Sequence, residues 1–307
     1  MTAGHPAILG TRGSRLALVQ AEECATTLRA AGVEVEVRVI RTTSEHLPDT
    51  PLAVIDQRDV FTRQLDEALL SGEIDLAVHS LKDVPTELPE GISLSAVTRR
   101  HDPSDALVSD DGYTLDSLPH EAVVATSSLR RKAQLLHHRP DLKIVGIRGN
   151  VDTRVSKMRG GAADAVVLAR AGLERLGLDA AHTVIPQDVV LPAVGQGALA
   201  IATRRDHALR ELIRETLNHE ATEKAVLAER AMLRTLEGGC RVPVGATSAV
   251  IGRGVSLRGL VISPDGALAY RGEAEGEEPE EVGRRLALDL LEQGAAVVLG
   301  EVREVRR

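Results

Sequence analysis

Aromatic side chains are almost absent from this sequence. Its 307 residues contain one Phe, two Tyr and no Trp. The core must therefore be packed from Leu, Val, Ala and Ile, which makes the single Phe, Phe61, informative. Disorder is not expected, because the hydrophobic content of 43% and the charged content of 27% are those of an ordinary globular chain, long enough for two or three domains.

Cysteine is scarce as well, and several motifs are missing. Cys24 and Cys240 are the two cysteines, and Cys24 falls within a helical pattern typical of core packing. The sequence has no zinc-spaced set of Cys and His, no Walker-type phosphate loop and no nucleophile elbow. It also shows no signal-peptide core and no membrane span, so we expect a cytoplasmic protein without a disulfide, a metal or a membrane anchor.

The formal net charge of −8 argues against a general nucleic-acid binder, but local basic clusters can still bind small anions. One cluster lies where a short apolar run, residues 7–10, leads into a turn with Arg12 and Ser14 and then into a helix over residues 16–30. The N–H groups of a helix start, together with these side chains, can bind an anion. Ordinary N-capping by Ser14 is the alternative interpretation.

This pattern of strand, turn and helix recurs in the second part of the chain. Residues 122–125 lead into a turn with Thr126 and Ser128 and then into a helix, and residues 161–170 resemble residues 72–81. The repetition predicts two similar α/β lobes.

Lys82 and Asp83 follow directly on an apolar run that is typical of a buried strand. The carboxyl ends of strands in open α/β sheets are where ligands bind, so a cation and a carboxylate here indicate a binding site. A solvated turn is the alternative.

Four arginines fall on the turns of the second lobe: Arg130, Arg131, Arg148 and Arg154. The planar guanidinium group suits carboxylates and phosphates, so the set favours recognition of a small polyanion. Any one of them alone is explained equally well as a solvated surface residue.

The pair Asp102-Pro103 and the segment 191–201, which contains Pro and Gly, predict two crossings between the lobes and therefore a hinge with a ligand cleft. The remaining C-terminal part has short alternating strands. The predicted strands are 246–251, 255–262 and 267–271, followed by a helix over 279–293 and a final strand over 295–299. The predicted domains are residues 1–99 with 197–217 as lobe 1, 103–192 as lobe 2 and 220–307 as a small α+β domain.

Cys240 lies at the entrance of this last domain. A helix predicted over residues 221–236 ends at Gly238 and Gly239, and Pro243 prevents it from resuming. The thiol is thus either displayed on a tight loop for chemistry or buried as a small apolar residue.

The motifs together resemble those of the porphobilinogen deaminase family, also called hydroxymethylbilane synthases, in the family's order and over nearly the whole chain. The resemblance implies two lobes like those of periplasmic binding proteins and a third domain whose Cys240 carries a dipyrromethane cofactor through a thioether. The motifs are Gly10-Thr11-Arg12-Gly13-Ser14-Arg15, His79-Ser80-Leu81-Lys82-Asp83-Val84-Pro85, Thr126-Ser127-Ser128-Leu129-Arg130-Arg131, Arg148-Gly149-Asn150-Val151-Asp152-Thr153-Arg154, Leu191-Pro192-Ala193-Val194-Gly195-Gln196-Gly197 and Glu237-Gly238-Gly239-Cys240.

The resemblance implies a transferase that deaminates porphobilinogen and joins four units head to tail on that primer, releasing linear hydroxymethylbilane for tetrapyrrole synthesis. Asp83 would be the catalytic carboxylate. It also implies a cytoplasmic monomer that hands its product transiently to the next enzyme. The implied cofactor-binding residues are Cys240, Lys82, Asp83, Ser14, Thr126, Ser128, Arg130, Arg131, Arg148 and Arg154, and the implied substrate-binding residues are Arg12, Arg148, Arg154, Arg175, Gln196 and Phe61.

One stretch departs from the family pattern. Residues 54–60 carry Val54 and Asp56 where many members have a run rich in lysine and glycine, although Arg58 keeps one positive charge before Phe61. The departure puts in doubt whether residues 54–60 form a flexible lid and whether they steer anionic substrate, but it leaves the core chemistry unaffected.

Two other functions fit parts of the pattern. A solute-binding module would use the same hinged lobes and arginines without chemistry, but the additional domain with Cys240 counts against it. A cysteine hydrolase would need a His base near Cys240, and the nearest in sequence, His219, lies at the far end of the preceding helix.

Overall fold

The computed structural model describes residues 6–41, 62–236 and 243–304. Phe61, Cys240 and the atypical segment 54–60 lie outside the described residues. The chain forms two compact units, Met1–Arg100 with Ala198–Glu223 and His101–Gly197 with Lys224–Arg307.

The elements of the described residues follow in chain order. The strands are β1 (Ala7–Thr11), β2 (Val35–Val39), β3 (Leu76–Ser80), β4 (Ile92–Val97), β5 (Asp105–Val108), β6 (Val123–Ala125), β7 (Lys143–Val145), β8 (Ala165–Ala169), β9 (His182–Val184), β10 (Leu199–Arg204), β11 (Val244–Ile251), β12 (Gly254–Ile262) and β13 (Ala269–Gly276). The helices are α1 (Arg15–Ala30), α2 (Arg63–Ser71), α3 (Leu129–His138), α4 (Val151–Lys157), α5 (Arg170–Leu176), α6 (Arg210–Leu217), α7 (Glu220–Thr235), α8 (Pro279–Leu290) and α9 (Ala296–Glu304).

The first unit is built on a five-stranded sheet in the order β2-β1-β3-β10-β4. β1, β2 and β3 run parallel, whereas β10 lies between β3 and β4 and is antiparallel to both. Apolar residues cover both faces: Leu28 of α1 packs in one cluster and Leu65 of α2 in another. Cys24 is buried in the first of these clusters, as its helical pattern predicts.

Gly10 explains how closely α2 approaches the first sheet. A Cβ at this position would collide with the side chain of Ile74 and would lie 3.1 Å from Cδ2 of Leu65. The absence of a side chain therefore lets the apolar face of α2 pack directly over β1.

The second unit contains a five-stranded sheet with the corresponding order, β7-β6-β8-β5-β9. β6, β7 and β8 are parallel, and β5 is antiparallel to β8 and β9. Its core has Leu107, Val124 and Leu135 in one cluster, and Val108 and Leu168 in another. The repeated pattern of strand, turn and helix in the sequence thus corresponds to two sheets with the same arrangement of parallel and antiparallel neighbours.

The second unit also contains a three-stranded antiparallel sheet, β11-β12-β13, which packs with α7 and α8 around Met232, Leu257 and Leu286. The turn between β12 and β13 rests on α3, where the Gly266 carbonyl lies 2.8 Å from Nδ1 of His137. Gly266 has φ +79°, and a Cβ there would lie 2.6 Å from the Ala133 carbonyl oxygen, so a side chain would push the turn off the helix.

One predicted element is wrong. Residues 295–299 were expected to form a strand because five apolar residues follow one another, but α9 begins at Ala296. Ala295, Val298 and Leu299 are buried while Val297 is 57% exposed, which is the spacing of one helix face. A short apolar run does not distinguish a strand from a helix, and only packing decides it.

The predicted fold class is confirmed: two α/β sheets with helices on their faces and a small C-terminal α+β part. None of the helices in the described ranges has the length and apolar character needed to cross a bilayer.

Candidate functional site

The turns that follow β1 and β3 form one polar edge of the first sheet, here called the first edge. Ser14 caps α1, because its Oγ accepts a hydrogen bond from the Ala17 N–H at 3.3 Å. Arg12 precedes it in the same turn and is partly exposed. Local sequence explains this arrangement, since serine before a run of good helix formers is a common N-cap.

Lys82 and Asp83 lie on the first edge in a short 3-10 turn, Leu81–Asp83, directly after β3. Oδ2 of Asp83 is 3.8 Å from Nη2 of Arg12, which shows that the turns after the two strands meet. The Asp83 side chain is 27% exposed, so a ligand can reach this carboxylate. Three of the sequence-predicted site residues, Arg12, Lys82 and Asp83, are thus brought to one place.

Three further residues support the first edge and were not predicted from the sequence. Nε2 of Gln20 on α1 lies 3.0 Å from Oγ of Ser80, which joins the capped helix to the end of β3. His79 is buried in β3, and burial first and the Arg12 guanidinium second lower the pKa of His79 to about 3. The ring is therefore neutral at pH 7 and adds no positive charge near Arg12.

The turns after β6 and β7 form the second edge, on the second sheet. Ser128 caps α3 by accepting from the Arg131 N–H at 3.4 Å, and Oγ1 of Thr126 accepts from the Ser128 N–H at 3.2 Å. Oγ of Ser127 donates to the Ile147 carbonyl at 2.7 Å, which ties the two turns together. The hydroxyl groups of Thr126, Ser127 and Ser128 therefore hold the turns of the second edge in place through hydrogen bonds within the protein.

Arg148 and Arg154 also belong to the second edge. Nε of Arg154, on α4, donates to the Gly149 carbonyl at 2.7 Å, and Nζ of Lys157 donates to the Arg148 carbonyl at 3.1 Å. The two arginines are both partly exposed. The structure thus gathers the hydroxyls and these arginines on neighbouring turns of one sheet.

Arg130 and Arg131 are buried, in contrast to the partly exposed arginines of the second edge. Their Nη2 atoms donate to the two oxygens of Asp105, at 2.8 Å from Arg130 and 2.7 Å from Arg131. Burial alone would raise the pKa of Asp105, but the two guanidinium groups overcome this effect and hold it well below its usual range. Asp105 therefore remains ionised, and two positive charges share one buried carboxylate.

Gln196 belongs to the same cluster. It is 1% exposed, and its Nε2 donates to Oδ1 of Asp105 at 2.8 Å and to the Pro103 carbonyl at 2.6 Å. Arg175, another substrate-binding candidate, is on α5, and its Nη2 donates to the Gly197 carbonyl at 3.3 Å. Asp105 was not among the predicted site residues, although its place as an acid opening an apolar run repeats the pattern seen at Asp75 and Asp164.

No group of three or more His, Cys, Asp or Glu side chains suited to a metal ion occurs within residues 6–41, 62–236 and 243–304. Cys240 and Phe61 are outside these ranges, so the roles predicted for them have no structural description.

Comparisons with known proteins agree with the resemblance. The family model described as porphobilinogen deaminase, dipyromethane cofactor binding domain, matches residues 7–211, and the model of the porphobilinogen deaminase C-terminal domain matches residues 223–292. A porphobilinogen deaminase from Rubrobacter xylanophilus is 70% identical over 97% of this chain and 98% of its own length. One from Shouchella clausii is 46% identical over 96% of this chain and 97% of its own length.

Solved structures that resemble the fold include a periplasmic substrate-binding protein of an ABC transporter from Coxiella burnetii. It is 16% identical with a TM-score of 0.43, covering 73% of this chain and 96% of that one. The two family models account for most of the sequence, and the two relatives align with it over nearly their whole length. On this evidence the chain belongs to the porphobilinogen deaminase family.

Proposed function

We propose that this chain deaminates porphobilinogen and joins four units head to tail on a covalently bound dipyrromethane primer, with residues of the first and second edges performing the steps. Family membership makes it a transferase of tetrapyrrole biosynthesis, forming carbon–carbon bonds with release of ammonia and yielding linear hydroxymethylbilane. The observation that carries the proposal is the accessible carboxylate of Asp83 on an edge that also bears Arg12 and Lys82.

The residues present fit a dipyrromethane, which carries acetate and propionate arms. Arg130 and Arg131 together carry one positive charge more than Asp105 neutralises, and Nε of Arg131 is buried without a hydrogen-bond partner among the described residues. These donors would hold carboxylate arms of the cofactor. Lys82 and Ser14, on the first edge, are further proposed cofactor-binding residues. The other proposed cofactor-binding residues are Asp83, Thr126, Ser128, Arg148 and Arg154, with Cys240 as the thioether anchor by family resemblance.

When bound, the dipyrromethane supplies the electron-rich pyrrole carbon to which the first new ring is joined. Asp83 acts on the incoming substrate. Loss of ammonia from the aminomethyl arm leaves positive charge on the pyrrole, and the carboxylate accepts a hydrogen bond from the pyrrole N–H and stabilises that charge. The 3-10 turn and the bond between Gln20 and Ser80 hold this part of the edge in place.

The arginines position the substrate. Porphobilinogen carries two carboxylates, and a guanidinium group binds a carboxylate with two parallel N–H groups, which fixes orientation as well as affinity. Arg12 on the first edge, with Arg148 and Arg154 on the second, are the proposed carboxylate-binding residues. Arg175, Gln196 and Phe61 are the remaining proposed substrate-binding residues.

Location and organisation complete the proposal. The scarcity of cysteine supports a cytoplasmic enzyme, which we propose acts as a monomer and hands its product transiently to the next enzyme. We propose three domains: residues 1–99 with 197–217, 103–192 and 220–307, the last anchoring the primer.

The full chain, incubated with porphobilinogen, tests this function. Substrate loss, ammonia release and linear tetrapyrrole formation should proceed together, with one tetrapyrrole formed for four substrates consumed. Binding of porphobilinogen without release of ammonia would instead indicate a solute-binding module and refute the proposal.

A further inference from the structure

A buried ionic cluster lies at the start of α3, and Asp105 is its centre. Asp105 opens β5 and has no exposed surface. Its carboxylate accepts three hydrogen bonds, from Nη2 of Arg130, Nη2 of Arg131 and Nε2 of Gln196, at 2.8, 2.7 and 2.8 Å. These partners are far away in sequence, so the cluster forms only when the second unit folds.

The same arginines are also held on their other sides. Nη1 of Arg130 donates to the Leu191 carbonyl at 2.5 Å, and Nη1 of Arg131 donates to the Val167 carbonyl at 3.0 Å. Each guanidinium group is therefore fixed by two bonds of different direction. Each arginine uses its Nη2 nitrogen to donate to Asp105, so the carboxylate sets how the two guanidinium groups lie side by side.

The charge of the cluster is not balanced. Two arginines and one aspartate leave one positive charge in a buried place, where an unpaired charge is costly. Removal of Asp105 would leave two adjacent positive charges that repel each other. A ligand carboxylate is the kind of group that would neutralise the excess charge.

The first sheet shows that the fold does not require such a cluster. The strand pairings place Asp105 opposite Ala169 and Leu199 opposite Ser80, and these two partners are the last residues of β8 and β3. Leu199 thus occupies in the first sheet the position that Asp105 occupies in the second, and it is fully buried. An apolar residue fills the corresponding position of the first sheet, so this arrangement of strands does not by itself require an ionic cluster.

We propose that Asp105 is a positioning residue for the reaction, which holds Arg130 and Arg131 side by side with one positive charge left for a ligand carboxylate. Gln196 acts with it, because its amide fixes the Asp105 carboxylate from the crossing segment. The inference rests on the function proposed above.

The test compares Asp105→Asn with Asp102→Asn in the full chain. Both changes remove one carboxylate charge from the same segment without changing side-chain size. Asp102, however, forms a half-exposed ion pair with Arg170, with Nη1 to Oδ2 at 2.6 Å, outside the cluster. Three quantities are measured: KM and kcat for porphobilinogen, the fraction of chains that carry covalent pyrrole by intact mass, and the folded fraction by circular dichroism.

Folded Asp105→Asn should show a KM raised about 10-fold or more, or a covalently loaded fraction reduced by a similar factor, because misplaced binding groups weaken carboxylate capture. Asp102→Asn should stay within about twofold of the wild type. Asp105→Glu, which restores the charge, should recover part of the loss. Folded Asp105→Asn with wild-type KM, kcat and loading would overturn the proposal.

Gln196→Met decides the case if Asp105→Asn does not fold, because it keeps both ion pairs and removes the amide hydrogen bonds to Asp105 and to the Pro103 carbonyl. It should raise KM about threefold or more with kcat nearly unchanged. Wild-type values in this variant would overturn the proposal. A wild-type chain with neither covalent pyrrole nor turnover would instead refute the underlying function, which separates the two failures.

Discussion

The two five-stranded sheets are built alike but carry different charges. In each, an aspartate accepts a hydrogen bond from the N–H of the neighbouring parallel strand: Asp75 from Ile8 at 2.8 Å and Asp164 from Val123 at 2.7 Å. In each sheet a serine also caps the helix that follows the strand donating this hydrogen bond: Ser14 caps α1 after β1, and Ser128 caps α3 after β6. The scaffold and its local supports are therefore repeated almost residue for residue.

The side chains placed on this scaffold are not repeated. Asp83 is the third residue after β3, whereas the third residue after β8 is Gly172. Asp105, in turn, stands where the first sheet has Leu199. The first sheet thus presents the accessible carboxylate and the second concentrates the arginines, so one repeated fold supports two different tasks.

Loss of the carboxylate on the first edge should have the largest effect. Asp83→Asn is expected to lower kcat by about 100-fold or more, because it removes the charge that stabilises the developing cation. Stopped assays of porphobilinogen consumption measure the rate, and urea unfolding shows whether the variant keeps the stability of the wild type. Glu87→Gln, an exposed acid four residues further on, is the matched control and should keep its rate. Near-normal turnover in Asp83→Asn would remove it from the mechanism and leave the first edge without its assigned task.

Loss of an arginine on the second edge should have the next largest effect. Arg148→Leu is expected to lower kcat/KM by at least about 10-fold, since a lost carboxylate contact leaves a charged ligand group unpaired. Tetrapyrrole formation per hour is the measurement. Arg159→Leu removes an exposed arginine paired with Asp110 in the same unit and should be close to wild type. Equal effects of the two changes would mean that general charge, and not the second edge, attracts the substrate.

Acid should destabilise the two sheets in different pH windows. Since the folded-state pKa of His79 is about 3 and the ordinary value is 6.5, the unfolded state takes up the proton first, and stability of the first unit is lost as the pH falls below about 6.5. The free energy of unfolding lost in this way is at most about 5 kcal/mol, and the loss is complete only when the pH has fallen to about 3. The ordinary pKa of an aspartate is 3.8, and that of Asp105 is lower in the folded protein. The ionised carboxylate therefore stabilises the second unit at any pH above 3.8, and this stability is lost only as the pH falls below that value.

Hydrogen exchange of peptides from β3 and β5 between pH 7 and pH 3.5 measures the difference between these windows. Protection in β3 should decrease first, and His79→Gln should flatten its dependence on pH. The same exchange profile for both strands at every pH would show that the two sheets do not differ in this respect.

The smallest expected effect is the difference in stability lost when Asp75 or Asp164, the aspartates that bond the neighbouring strand, is replaced. Asp75→Ala is expected to cost about 1–3 kcal/mol and Asp164→Ala about 0.5–1.5 kcal/mol. The reason is that Asp75 is part-buried and also lies 3.0 Å from Nε2 of His207, whereas Asp164 is exposed. Urea unfolding midpoints check the order, and a larger loss for Asp164→Ala would contradict it.

Features that depend on local sequence could be predicted. N-capping by Ser14 was one of the two interpretations of its turn, and an apolar run followed by Lys82 and Asp83 predicted a strand end with a polar turn. The repeated pattern predicted two similar sheets. Each of these inferences depends on residues within one or two turns of each other.

Features that depend on distant partners could not be predicted. Arg130 and Arg131 look like solvent-facing residues of a helix start, but their partner Asp105 is 25 and 26 residues away, and Gln196 is 91 residues from it. Burial and pairing at such separations follow from the sheet order, which no short pattern contains. The strand predicted over residues 295–299 failed for the same reason, since packing decided in favour of α9.

Intact mass of the purified full chain, before and after addition of porphobilinogen, decides whether the chain carries a covalent primer and extends it. The account predicts a chain heavier than its sequence by two linked pyrroles, and then a ladder of species that each gain one further pyrrole. Asp83→Asn should fail to extend this ladder at the wild-type rate. A wild-type chain with the bare mass of its sequence, unchanged by porphobilinogen, would contradict the account.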